Sequence, residues 1–149
     1  MKKEMNNKGF SLVELIVVIA IMAVLVGVLA PQFLRYVEKS RLQKDNQAIA
    51  EIASAAKAAM ANEKIYDAVT GTVTCGTINN KEYKFGTTAT ASLNGELANT
   101  VGTSVKLTSK TYTAAPAVKV RVDTATKTVI VWTDGYIEDV NATGTARTF

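Results

Sequence analysis

Glu14 is the residue through which this chain could do chemistry. It stands in the run from Phe10 to Ala30, FSLVELIVVIAIMAVLVGVLA, where Ser11 is the only other polar side chain. A charged side chain in mid-bilayer costs ~2.5–3.5 kcal/mol on insertion scales and less near the interface, so a carboxylate here needs a purpose. A cation would supply one. Cutting the peptide bond between Gly9 and Phe10 would create a positive α-amino group on Phe10, about one helical turn before Glu14. The amine could belong to the same chain or to a neighbour. In the second case the pair would set register between stacked subunits, because an unpaired buried carboxylate is heavily penalised. The alternative is a lone glutamate reaching toward the headgroups at a membrane end.

Other chemistry is sparse. The 149 residues include no histidine and one cysteine, which excludes a Ser-His-Asp or Cys-His nucleophile pair, a His-ligated metal and an intrachain disulfide. No glycine-rich phosphate loop or acid-base pair stands out, so neither catalysis nor a cofactor is expected. Asp134, Glu138 and Asp139 could offer oxygen ligands to calcium, but their spacing matches no calcium loop and solvated turn residues are the simpler reading. Asn141-Ala142-Thr143 fits the glycosylation triplet, which is common by chance. Lys119, Arg121 and Lys127 could form a basic strip, although a solvent-facing strand needs charges anyway, and a nucleic-acid partner is not expected. The formal charge of +4 does not change this, because Lys2, Lys3 and Lys8 against Glu4 place about half of it in the first nine residues.

The elements that must position Glu14 follow from length and hydropathy. Phe10–Ala30 as a helix would extend roughly 31 Å, close to the ~30 Å hydrocarbon core of a bilayer. Three lysines precede it and favour a cytoplasmic N-terminus, partly opposed by Arg35, Lys39 and Arg41 beyond it. An ordinary secretory signal has a shorter apolar region and a small-residue cleavage site after it. A plain membrane anchor leaves Glu14 unexplained.

Lys8-Gly9 followed by Phe10-Ser11-Leu12-Val13-Glu14-Leu15 and an apolar run ending near Pro31-Gln32 resembles the class III signal of type IV prepilins and the related pseudopilins. The resemblance covers residues 1 to 60 and the short leader is similar to the type IVa subclass. It implies a prepilin peptidase cutting between Gly9 and Phe10 and N-methylating Phe10, with Glu14 pairing to the terminal amine of an adjacent subunit. It also implies a membrane-held precursor, pilus assembly machinery as partner, and a homopolymeric surface filament serving adhesion, motility or biofilm formation. A pseudopilin of a secretion or DNA-uptake system shares the same N-terminal logic. The distant alternative is a single-pass membrane protein carrying a binding domain.

Further along, Pro31 removes a backbone donor one turn after Gly27, so a helix break or bend is expected between them. From Gln32 to about Asn62, Leu34, Val37, Leu42, Ile49, Ile52, Ala53, Ala56 and Met60 recur at helical spacing, with a weak turn near Asp45 and Asn46. Arg35, Lys39, Lys44, Glu51 and Lys57 should face water. After Tyr66 the composition turns to Thr, Val, Gly and Asn, with candidate strands at 71–77, 82–85 and 105–112. Alternation at Val118, Val120 and Val122, a turn at 123–126, an apolar run at 127–132 and the Asp134-Gly135 turn signal predict a three-stranded meander ending at 136–140. The expected organisation is a leader at 1–9, a transmembrane or filament-core helix at 10–31, an amphipathic helix at 32–64 and a β-rich head at 65–149. The fold class is α+β, a long N-terminal helix packed on an antiparallel sheet, which is similar to the pilin fold. Many pilins staple a C-terminal loop with two cysteines; with Cys75 alone, strand pairing and packing must hold that region, and Cys75 itself reads as a buried small apolar residue.

Overall fold

A computed structural model describes residues 10–85, 91–123, 126, 128–139 and 144–149. The chain divides into two compact units, Met1–Val37 and Glu38–Phe149. The long helix α1 (Leu12–Ala59) contributes to both. In the first unit every residue from Phe10 to Tyr36 is exposed. The most apolar 18-residue stretch of the helix has a mean hydropathy of 3.1 and none of it is buried, which suits a lipid or protein surround rather than water.

The expected break between Gly27 and Pro31 is absent: α1 runs through both residues as helix. Proline forfeits its own amide bond, and that bond would have gone to the carbonyl of Gly27, four residues back. A single missing bond is tolerated inside a long helix whose other turns remain paired. Leu34, expected on the buried stripe, is 67% exposed and lies in the first unit.

In the second unit the stripe behaves as expected from Leu42 onward. Leu42, Ile49, Ile52, Ala53, Ala56 and Met60 are buried, and Lys39, Lys44, Glu51 and Lys57 are exposed. The helix stops at Ala59, short of residue 64. Asn62 caps a short helix α2 (Glu63–Ala68), its side chain accepting the Lys64 amide at 3.1 Å.

The head holds two antiparallel sheets. One has the order β1-β5-β6-β7, from β1 (Thr72–Thr74), β5 (Val118–Asp123), β6 (Thr128–Tyr136) and β7 (Thr145–Thr148). The other has the order β2-β3-β4, from β2 (Thr77–Asn79), β3 (Glu82–Lys84) and β4 (Ser104–Lys106). Val118 and Val120 of β5 and Val131 of β6 are fully buried in one core with Ile49 and Ile52 of α1. The architecture is therefore the α+β arrangement of a long helix packed on an antiparallel sheet.

Three local expectations are corrected. Asp134-Gly135 is not a hairpin turn, since β6 continues through it to Tyr136. Gly135 has φ +74° and the pairing with β7 shifts register between Thr133 and Tyr136, so the glycine makes a bulge within the strand. The last strand is accordingly Thr145–Thr148 rather than 136–140, and residues 140–143, including the Asn141 triplet, lie outside the described residues. The second correction is α3 (Ala91–Val101), a helix where no helical period was read. Its Leu93 and Leu97 are fully buried one turn apart, a signal diluted by Asn94 and Gly95 between them. The candidate strand at 105–112 shrinks to β4; Leu107–Thr111 is irregular chain.

Candidate assembly site and the head that carries it

Phe10 stands just outside the helix and is 88% exposed, so the Gly9–Phe10 bond abuts an unwound, accessible residue. Gly9 and the rest of the leader lie outside the described residues. Ser11 precedes the first helical turn and its carbonyl accepts the Leu15 amide at 3.2 Å. Glu14 reaches back so that its Oε2 accepts the Ser11 amide at 3.3 Å. Ser-x-x-Glu in this geometry is the glutamate half of a capping box, and a carboxylate in the first turn is further favoured by the positive end of the helix dipole. Glu14 thus has a role within its own chain that sequence reading missed, although the four-residue pattern was legible. One amide occupies little of a carboxylate that offers about four lone-pair sites, so Glu14 retains capacity for an amine.

In the head, three polar side chains of α1 point into the stripe that should be apolar. Asp45, 2% exposed, accepts the Thr108 amide at 2.9 Å, the Ser109 amide at 2.7 Å and the Thr108 hydroxyl at 3.2 Å. Asn46 accepts the Tyr112 hydroxyl at 2.7 Å and donates to the Ile137 carbonyl at 2.9 Å. Glu38 accepts the Ser109 hydroxyl and the Lys110 amide, each at 2.6 Å, with the Thr111 amide at 3.1 Å. The Ser109 hydroxyl bond, followed by those backbone bonds, holds the Glu38 carboxyl below its ordinary value against an opposing desolvation. These bonds replace a ladder for the irregular segment after β4, where the amide of the buried Ser109 would otherwise be orphaned. Lys81 completes the hold, donating to the Ser109 carbonyl at 2.9 Å. What reads in sequence as a weak turn is a set of anchors. Polar residues three and four positions from a buried leucine, as Asp45 and Asn46 are from Leu42, were the available signal.

The C-terminal strand is held without a disulfide. Arg147 donates to the Tyr136 hydroxyl at 2.6 Å and stacks 4.8 Å from that ring and 5.4 Å from the Phe149 ring. The Phe149 amide donates to the Val131 carbonyl at 2.8 Å. Cys75 is fully buried, and that burial pushes its thiol up to about 12, which keeps it protonated and inert.

The remaining sequence candidates are not brought together. Asp134 pairs with Lys119, Glu138 and Asp139 are exposed, and no metal-binding group of three is found among the described residues. That ion pair also breaks the basic strip, leaving Arg121 exposed; Lys127 lies outside the described residues.

Residues 5–30 match the family profile described as the prokaryotic N-terminal methylation motif. This chain therefore carries the class III signal of type IV pilins and pseudopilins. The motif implies a prepilin-peptidase substrate of a membrane assembly system, and with the exposed apolar helix it fits a membrane-anchored precursor. No curated protein and no solved structure shows a significant match to the chain.

Proposed function

We propose that this protein is the major structural subunit of a type IV pilus, and not an enzyme. The precursor sits in the membrane with its leader inside. Prepilin peptidase cuts between Gly9 and Phe10 and methylates the new Phe10 amine. The mature chains then polymerise through their apolar helices into an extracellular filament.

The observation that carries this reading is Glu14 in the first turn of an uncovered apolar helix that begins just after Phe10. The helix needs a partner along its whole exposed length. In lipid the gain on association is packing rather than water release, so apolar contact alone sets register weakly. A carboxylate facing the terminal amine of a neighbour sets it well, since either charge left unpaired in such a surround is costly.

Mass spectrometry of the mature N-terminus, with electron microscopy of surface-sheared material, tests the proposal. Methylated Phe10 and long filaments made mostly of this chain are expected. Glu14→Ala should be cleaved and membrane-held yet absent from filaments. Retention of Met1 would overturn the processing step, and normal filament yield from Glu14→Ala would overturn the pairing. Methylated protein without long filaments would assign the chain to a pseudopilin instead.

A further inference from the structure

We propose that the uncovered strip of α1 from Ser40 to Ala58 packs against the same strip of a second copy displaced by seven residues, Lys44 of one chain meeting Glu51 of the next. This contact rests on the filament reading above and extends it beyond the apolar run. Ser40, Lys44, Gln47, Glu51, Ser54 and Ala58 recur at alternating intervals of four and three residues, and each is exposed. That is the 3.5-residue period of a supercoiled helix pair, in which the side chains of one helix enter holes in the other. The head covers another side of the helix, where Leu42, Ile49 and Ile52 are buried. Three of the six strip residues are serine or alanine, and small side chains let two helices approach closely.

The order of the charges selects the occupant. Lys44 and Glu51 make no ion pair among the described residues, and no residue three or four positions from either carries the opposite charge. Seven residues set them ~10.5 Å apart along the axis, beyond the one-turn reach of a helix-face pair. A parallel neighbour without displacement would set Lys44 against Lys44 and Glu51 against Glu51. Displaced by seven residues, the strip keeps its packing and brings unlike charges level at every step of the polymer. Arg41, exposed and one turn before Lys44, adds positive charge toward the same carboxylate, while Lys39 and Lys57 lie about a quarter-turn to one side. Glu51 in the middle of the strip opposes a polyanion as occupant. An antiparallel copy would also pair Lys44 with Glu51, but that contact closes into a dimer, and chains held in a membrane by the same N-terminal helix lie parallel. A displaced parallel contact is heterologous and propagates. The N-terminal pair displaces the neighbour in the same sense, because Phe10 precedes Glu14 as Lys44 precedes Glu51. Four helical residues give an offset of ~6 Å there, rising to about 10 Å with Phe10 and Ser11 extended ahead of the helix start at Leu12.

The test is disulfide cross-linking in cells that process and assemble the full chain. The substitutions Gln47→Cys and Ser54→Cys are too far apart along one helix to bridge within a chain, and the native Cys75 is buried. Under mild oxidation the double variant should give a ladder of dimers, trimers and higher species, and each single variant should stay monomeric. Dimers from Gln47→Cys alone would mean an undisplaced or antiparallel neighbour, and absence of the ladder would mean no contact at this strip; either overturns the proposal. In the double-cysteine background Lys44→Glu and Glu51→Lys should each reduce the ladder several-fold, and the two together should restore it. Failure of that exchange to recover the ladder would overturn the charge pairing. A ladder without long filaments would keep this contact and remove the major-subunit reading; long filaments without the ladder would do the reverse.

Discussion

Asp45 receives the backbone amide of Ser109 at 2.7 Å, joining the middle of the long helix to a segment with no strand partner of its own. Glu38, two turns earlier on the same helix, takes the hydroxyl of the same serine. Ser109 is fully buried, so its polar groups depend on these two carboxylates and on Lys81.

Removing Asp45 should therefore be expensive. Asp45→Ala strands the buried amide of Ser109, at about 1–3 kcal/mol for an unsatisfied group, and also removes the part-buried bonds from the Thr108 amide and hydroxyl, at about 1 kcal/mol. A loss of roughly 3 kcal/mol is expected in chemical denaturation, with Asp45→Asn losing less because it keeps one acceptor. An alanine variant as stable as the parent would show that the segment is not held from α1.

Acid should loosen the same contact through Glu38. Its carboxyl titrates below the ordinary 4.5 in the folded chain, so the folded state binds a proton less readily than the unfolded one. The stabilisation is then fully present above the unfolded value and is lost as pH falls through the folded value. Thermal unfolding between about pH 6 and pH 3 should show a decline that Glu38→Gln makes shallower. Parallel curves for the two proteins would refute the assignment.

The C-terminal clamp predicts a local effect. Arg147→Ala removes both ring contacts and the bond to Tyr136, at a cost of about 1–2 kcal/mol. Hydrogen exchange should accelerate at 145–149 well before the amides of β5 respond. Uniform acceleration across the sheet would mean that β7 is not an independent edge.

Thr133 offers a gain. It is fully buried and its hydroxyl has no hydrogen-bond partner among the described residues. Thr133→Val keeps the shape and the branching at Cβ, so stability should rise by about 1 kcal/mol in a denaturant titration. A loss would reveal a partner for the hydroxyl.

How far residues alone could be read depended on whether their signal was local. The apolar run, Glu14 and the Gly9–Phe10 junction lie within one short stretch, and both the stretch and its helix could be read from hydropathy and spacing. The buried stripe from Leu42 and the alternation at Val118, Val120 and Val122 were legible because each repeats a period of one element. Asp134-Gly135 misled because a glycine with positive φ serves a hairpin turn and a strand bulge equally. Only pairing with β5 and β7 chooses between them. Leu93 and Leu97 form a single apolar repeat, too little to mark a helix without the core that covers it.

By itself the sequence determined that this chain has an apolar helix able to span a bilayer, a processing signal at its start, and a head without histidine chemistry or a disulfide. Composition and contiguous patterns suffice for these, because each depends on residues that are neighbours along the chain. The tertiary structure alone decided that Asp45, Asn46 and Glu38 anchor the segment around Ser109 and that Arg147 closes the C-terminus on Tyr136 and Phe149. Each of these joins residues distant in sequence. A buried polar group or a stacked cation takes its meaning from what folding brings against it.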